Sequence, residues 1–170
     1  MAAKLPQVVA VNLIKDARSY VECVSVLDQH LHEFGKLFDP HQHRLRAPHK
    51  VPMYFLLGQA IELALKAYLA ASGVPGTILS SKEIGHDIDA AFQFAQNLAF
   101  APADKRFPKL VLWLAPYHRD HLFRYKKNDV VISPPYTMSL VAKIILNTVA
   151  GIEPYVRSQL LKVKETRRSL

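Results

Sequence analysis

One cysteine stands in the whole chain, Cys23, so no internal disulfide can staple the fold. Its neighbours Val21, Val24 and Val26 are apolar, and the expectation is a buried small hydrophobe and not a nucleophile. Glycine is also scarce, at 6 residues in 170. No Gly-rich phosphate loop, Gly-x-Ser-x-Gly elbow or His-Glu-x-x-His helix occurs, which excludes the commonest motif-bearing enzymes. No uncharged stretch reaches the roughly 18 residues a membrane-crossing helix needs. The longest candidates are broken by Glu62, by Gly73 with Pro75, or by Pro134 with Pro135, so an integral membrane protein is not expected. The opening Met1-Ala2-Ala3-Lys4-Leu5-Pro6 has one basic residue and no apolar run ending at a small-residue cleavage site. No signal peptide is therefore expected, and a cytoplasmic location is. Internal repeats and low-complexity tracts are missing as well.

Acidic residues are in deficit. Asp plus Glu number 14 against 22 Lys plus Arg, a net charge of +8, and 8 histidines can add to it in mildly acidic surroundings. A polyanion is thus a plausible partner, although basicity also serves solubility. With 50% hydrophobic and 21% charged residues, the chain can bury enough apolar surface to offset the entropy cost of folding. Its length fits one domain, residues 1–170, with a core over about 7–161 and a basic tail over 162–170 that carries Lys162, Lys164, Arg167 and Arg168.

Residues Gln7 to Phe34 contain no glycine or proline, and Val11, Ile14, Ala17, Val21, Val24, Leu27 and Leu31 recur at helical spacing. This predicts a long first helix, followed by a polar loop from Gly35 to Pro52. Met53 to Ser72 is apolar on nearly every side and reads as a central buried helix, stopped by Gly73, Pro75 and Gly76. Gly85-His86-Asp87 opens a third helix through Ile88, Phe92 and Leu98, with Asp87 as N-cap and His86 fixing the turn before it. Asp104 to Ala115 reads as a short fourth helix ended by Pro116. Asn128-Asp129 marks a turn, Val130 to Ser133 suits a brief extended segment, and a last helix runs from Tyr136 past Leu161, kinked at Pro154. The expected class is all-α: an antiparallel up-and-down bundle of four to five helices.

Glu62 and Lys66 lie four apart on the central helix, in the order that suits an ion pair on one face. Both interrupt an otherwise apolar helix, where an unpaired charge is costly, so each needs a partner. Five histidines, His30, His32, His41, His43 and His49, fall in one stretch and offer two His-x-His pairs for a transition metal. No cysteine is near enough to join them, and residues two apart on a helix point in different directions, so neither metal nor cofactor is expected.

The run Leu56-Leu57-Gly58-Gln59-Ala60-Ile61-Glu62-Leu63-Ala64-Leu65-Lys66-Ala67-Tyr68-Leu69, then Gly73, then Gly85-His86-Asp87-Ile88, resembles the second helix and following turn of HEPN domains, nucleotide-binding helical bundles of prokaryotes and higher eukaryotes. Arg124-Tyr125 ahead of a long final helix is also similar to members of that family, so the resemblance spans about Leu56 to Ile152. It implies an up-and-down bundle that commonly dimerises, often within a stress or defence system. In many members it implies a metal-independent endoribonuclease with an arginine, four to six intervening residues, then a histidine. There the arginine would hold the scissile phosphate while the histidine moves a proton at the 2′-hydroxyl side.

Only Arg44 to His49 has that spacing, and nine arginines with three allowed offsets yield about one such hit by chance. The pair also precedes the Glu62 helix, whereas the family keeps its pair near the final helix. The equivalent region here, Tyr117 to Tyr125, holds His118, Arg119, His121 and Arg124 without the spacing. A non-catalytic module is therefore the leading expectation, binding RNA or nucleotide through Arg119, Arg124, Lys126 and Lys127. One alternative is a divergent endoribonuclease with His121 or His118 as acid–base and Arg119 or Arg124 as phosphate clamp. The other is a helical scaffold for a partner protein. A homodimer is expected, through surplus apolar surface on the central and last helices.

Overall fold

The computed structural model describes residues 6–36, 46–81, 84–121 and 134–168. Six helices lie there and no strand: α1 (Pro6–Lys36), α2 (Arg46–Ala71), α3 (Gly76–Leu79), α4 (Ile88–Asn97), α5 (Phe107–Arg119) and α6 (Met138–Arg168). The all-α bundle agrees with the sequence expectation. The count is higher than four to five because the four-residue turn α3 follows the glycine stop of α2.

Ala10, Ile14, Ala17, Val21 and Val24 are buried at spacings of four, three, four and three, giving α1 one apolar stripe against α2 and α6. Cys23 is exposed, which corrects its expected burial. Val21 and Val24 belong to the buried stripe, whereas Val26, one turn on from Cys23, is exposed with it. On α2 the large side chains Leu57, Ile61, Leu65 and Leu69 are fully buried, and Ala60, Ala64, Ala67 and Ala70 let adjoining helices approach closely. Each of those leucines and isoleucines contributes roughly 1.5–3 kcal/mol of transfer free energy. α1, α4, α5 and α6 pack on α2, so most of its apolar surface is used inside the chain.

Prolines account for the misplaced helix ends. α2 begins at Arg46 and not at Met53, since Pro48 falls in the first turn, where backbone N–H groups have no helical acceptor anyway. Pro52 lies inside the helix, its cost offset by the burial of the residues that follow. α5 runs through Pro116 to Arg119, and α6 runs through Pro154 to Arg168. Pro116 and Leu112, like Pro154 and Ala150, are all exposed, so the carbonyl each proline leaves unbonded four residues back lies on the solvent side. Lys162 to Arg168, expected as a tail, is the helical end of α6. α5 starts at Phe107, because the Asp104 carboxylate accepts the Arg106 N–H and guanidinium just ahead of it.

Within α6, Met138–Thr166 is long enough to cross a membrane and contains an 18-residue window with a mean hydropathy of 1.2. In the bundle, 44% of that window is buried.

α5 reaches α2 at Gly58. A Cβ there would stand 2.4 Å from His118 Nδ1, so the ring of a buried residue occupies the space that any other side chain would need. Glycine in mid-helix costs about 0.5–1 kcal/mol relative to alanine, so Gly58→Ala would ordinarily stabilise. Here the His118 ring must shift against packed neighbours, at about 1–3 kcal/mol. We expect Gly58→Ala to lower stability in urea unfolding. An unchanged or raised midpoint would show that α5 does not lie on α2 as described.

Candidate functional site

Glu62 is the only acidic residue of α2, and its side chain is 5% exposed. Lys66, one turn later, donates to Oε1 at 2.7 Å. His118 Nε2 lies 2.7 Å from Oε2, and His86 Nδ1 lies 3.1 Å from the same oxygen. A carboxylate only accepts, so both imidazoles donate. Lys66 Nζ also donates to the Gly85 carbonyl at 2.6 Å, tying α2 to the turn that carries His86.

That turn is held from both sides. Gly85 N–H donates to the Ser81 carbonyl at 2.7 Å, and a Cβ on residue 85 would lie 2.7 Å from the same oxygen, so glycine is required. Asp87 Oδ1 accepts the N–H groups of Asp89 and Ala90, capping α4 as expected, while its Oδ2 accepts from Arg119 Nη1 at 3.2 Å. The Arg119 guanidinium is held protonated by Asp87 first and Asp120 second. After the C-cap at Asp120 the chain turns through His121 at φ +53°, a left-handed conformation in which glycine or asparagine is more usual. The turn puts the His121 ring 5.2 Å from that of His86, edge to face.

Lys66, Ser80, Ser81, Gly85, His86, Asp87, Arg119 and His121 line an open pocket of about 470 Å³. Ser81 Oγ, on its wall, is buried with no hydrogen-bond partner among the described residues. His86 and Arg119 are half exposed, with side-chain exposures of 50% and 53%. The pocket can hold an anion through Arg119 and can move a proton through His86, whose Nδ1 is fixed by Glu62 as in carboxylate-oriented imidazoles generally. Glu62, His86 and His118 also bring three ligating atoms within 4.8 Å of one another.

Of the residues singled out from sequence, Arg119, His121, His86, Asp87, Glu62 and Lys66 converge here. The expected ion pair of Glu62 with Lys66 is present. His118 converges too, with its side chain 2% exposed behind Glu62. His86 was expected only to fix a turn, yet it faces the pocket with its ring held by Glu62. Arg124, Lys126 and Lys127 lie outside the described residues, as do His41, His43, Arg44, Asn128-Asp129, the segment Val130 to Ser133 and the side chain of His49. No family model, curated protein or solved structure matches the chain.

Burial alone would push the Glu62 carboxyl up. Hydrogen bonds from His118 and Lys66, the Lys66 charge and the His86 bond outweigh it and bring the group down to about 2, from 4.5. The folded value lies below the unfolded one, so the ionised form is stabilised by folding. That stability is fully present above about pH 4.5 and is lost as pH falls towards 2. A shift of this size corresponds to about 3 kcal/mol. We expect wild-type stability to fall by about 3 kcal/mol more than that of Glu62→Gln between pH 5 and pH 2, read from urea unfolding at each pH. Parallel curves would refute the assignment.

Proposed function

We propose that the chain is a non-catalytic, HEPN-like module that binds single-stranded RNA or nucleotide, taking a phosphate at the pocket beside Arg119. One observation carries this reading: a half-exposed guanidinium, a half-exposed imidazole and a buried hydroxyl, Ser81 Oγ, with no partner among the described residues line the same pocket of a chain with net charge +8. Arginine has five N–H donors, and the two acids beside Arg119 engage Nη1 and Nε, which leaves donors for a phosphate oxygen. Within the pocket Lys66 is matched by Glu62 and Arg119 by Asp87, so the local field is close to balanced and the expected affinity is modest. A homodimer and a role in stress or defence, which the family resemblance implies, belong to the same proposal, as does a cytoplasmic location.

Two features support the non-catalytic reading. The Arg-to-His spacing of the nucleases is missing near the final helix, and His118, one of the two expected proton carriers, has its side chain 2% exposed behind Glu62. A second reading, a divergent metal-independent endoribonuclease, is favoured by one feature: Glu62 fixes the His86 ring from its Nδ1 side next to Arg119. In that case His86 would take the 2′-hydroxyl proton.

Fluorescence anisotropy with labelled single-stranded RNA, at two salt concentrations, tests the proposal, with a denaturing gel run on the same samples. We expect saturable, salt-weakened binding and intact RNA. Arg119→Ala should weaken binding about three- to tenfold and lower the salt slope by about one ion. Wild-type affinity in Arg119→Ala would move the binding site elsewhere. RNA cut by the wild type and spared by His86→Ala would replace the first reading with the second.

A further inference from the structure

We propose that Glu62 Oε2, His86 Nδ1 and His118 Nε2 together bind one divalent transition-metal ion of the zinc class. The three atoms lie within 4.8 Å of one another, with Oε2 2.7 Å from His118 and 3.1 Å from His86. Zinc bonds of about 2.0–2.2 Å in tetrahedral array place ligand atoms about 3.3–3.6 Å apart, so the His86 ring must move out from Oε2 by about 0.2–0.5 Å and the His118 ring by about 0.6–0.9 Å. One ammonium already neutralises Glu62, and two imidazoles on the same oxygen are more than charge balance asks.

The donor set matches the chemistry of open zinc centres, where two histidines and a glutamate leave a fourth position to water. Glu62 and His118 form a buried floor, while half-exposed His86 lines the pocket and gives the ion an entry path. The supporting shell is in place. Lys66 donates to Oε1, the oxygen not offered to the metal, and the His118 ring rests over Gly58. The cap at Asp87 fixes the turn that presents His86. On coordination each ring turns a lone pair to the ion and carries its proton on the other nitrogen, so no bond to hydrogen is lost overall.

The Lys66 ammonium opposes a dication nearby, which sets the expected affinity in the micromolar range. It also favours ions that bond strongly to imidazole over magnesium or calcium, which take oxygen donors. This site departs from the metal-free expectation drawn from sequence. It also lies apart from the stretch around His30 to His49, where ligands were sought. It does not rest on the RNA-binding reading, and its test contains no RNA.

Equilibrium dialysis of the untagged full chain against zinc alone tests it, with X-ray absorption on the loaded wild type. We expect one ion per chain, at least a tenfold loss of affinity in His86→Ala, and wild-type affinity in the His41→Ala/His43→Ala double variant. The zinc spectrum should show two imidazoles in the coordination shell. The proposal is overturned by absence of saturable binding, by wild-type affinity in folded His86→Ala, or by loss of binding in the double variant. Should His86→Ala fail to fold by circular dichroism, the wild-type spectrum decides: two imidazoles support the site, and any other number refutes it.

Discussion

A carboxylate buried in an apolar helix is a constraint that the remaining structure must satisfy. Glu62 is shielded from water on α2, and an isolated ionised carboxyl there would cost several kcal/mol. Its partners come from three places: Lys66 on the same helix, His86 in the turn before α4, and His118 near the end of α5. Satisfying one charge therefore fixes how the 84–87 turn and α5 sit on α2. Apolar contacts supply most of the burial energy of the bundle but are non-directional, whereas these hydrogen bonds select one arrangement among several of similar packing.

Small, local sequence devices deliver those partners. Gly58 opens the space over which the His118 ring lies, and Gly85 lets the turn close on the Ser81 carbonyl. Pro116 leaves its unbonded carbonyl on the solvent side, so α5 continues long enough to carry His118 and Arg119 to the pocket. His121 then takes the left-handed conformation that folds its ring back over His86. Of the described residues with positive φ only His121 lies here, while Gly73 and Ala99 follow the ends of α2 and α4.

Much of the fold was legible because helical periodicity is a local signal. The stripe on α1, the all-round apolarity of α2 and the cap at Asp87 could be read within a few residues. The failures have a common physical source. The cost of a proline depends on whether the freed carbonyl faces solvent or core, and sequence does not state this for Pro116 or Pro154. The exposure of Cys23 depends on a helix face set by the neighbouring stripe and not by adjacent residues. At the site, Glu62 was recognised as a charge in need of partners, and Lys66 was found because it lies one turn away. His86 and His118 stand 24 and 56 positions from Glu62 and are joined to it only by tertiary folding. Searching for an arginine and a histidine at fixed spacing could not find this arrangement, because Arg119 and His86 meet across different elements.

The two acids of the site divide their oxygens in the same way. Asp87 gives Oδ1 to the backbone of α4 and Oδ2 to Arg119. Glu62 gives Oε1 to Lys66 on its own helix and Oε2 to the two imidazoles. In each carboxylate one oxygen serves an element that exists without any ligand, and the other faces groups that a ligand can recruit. An anion drawing Arg119 away from Oδ2 leaves the α4 cap intact, and a cation taking Oε2 leaves the bond between Glu62 and Lys66 in place. Ligand exchange at this end of the bundle thus competes with one side-chain hydrogen bond at Asp87 Oδ2 and two at Glu62 Oε2, and not with the bonds that define the helices. The site can therefore change partners without the fold giving way.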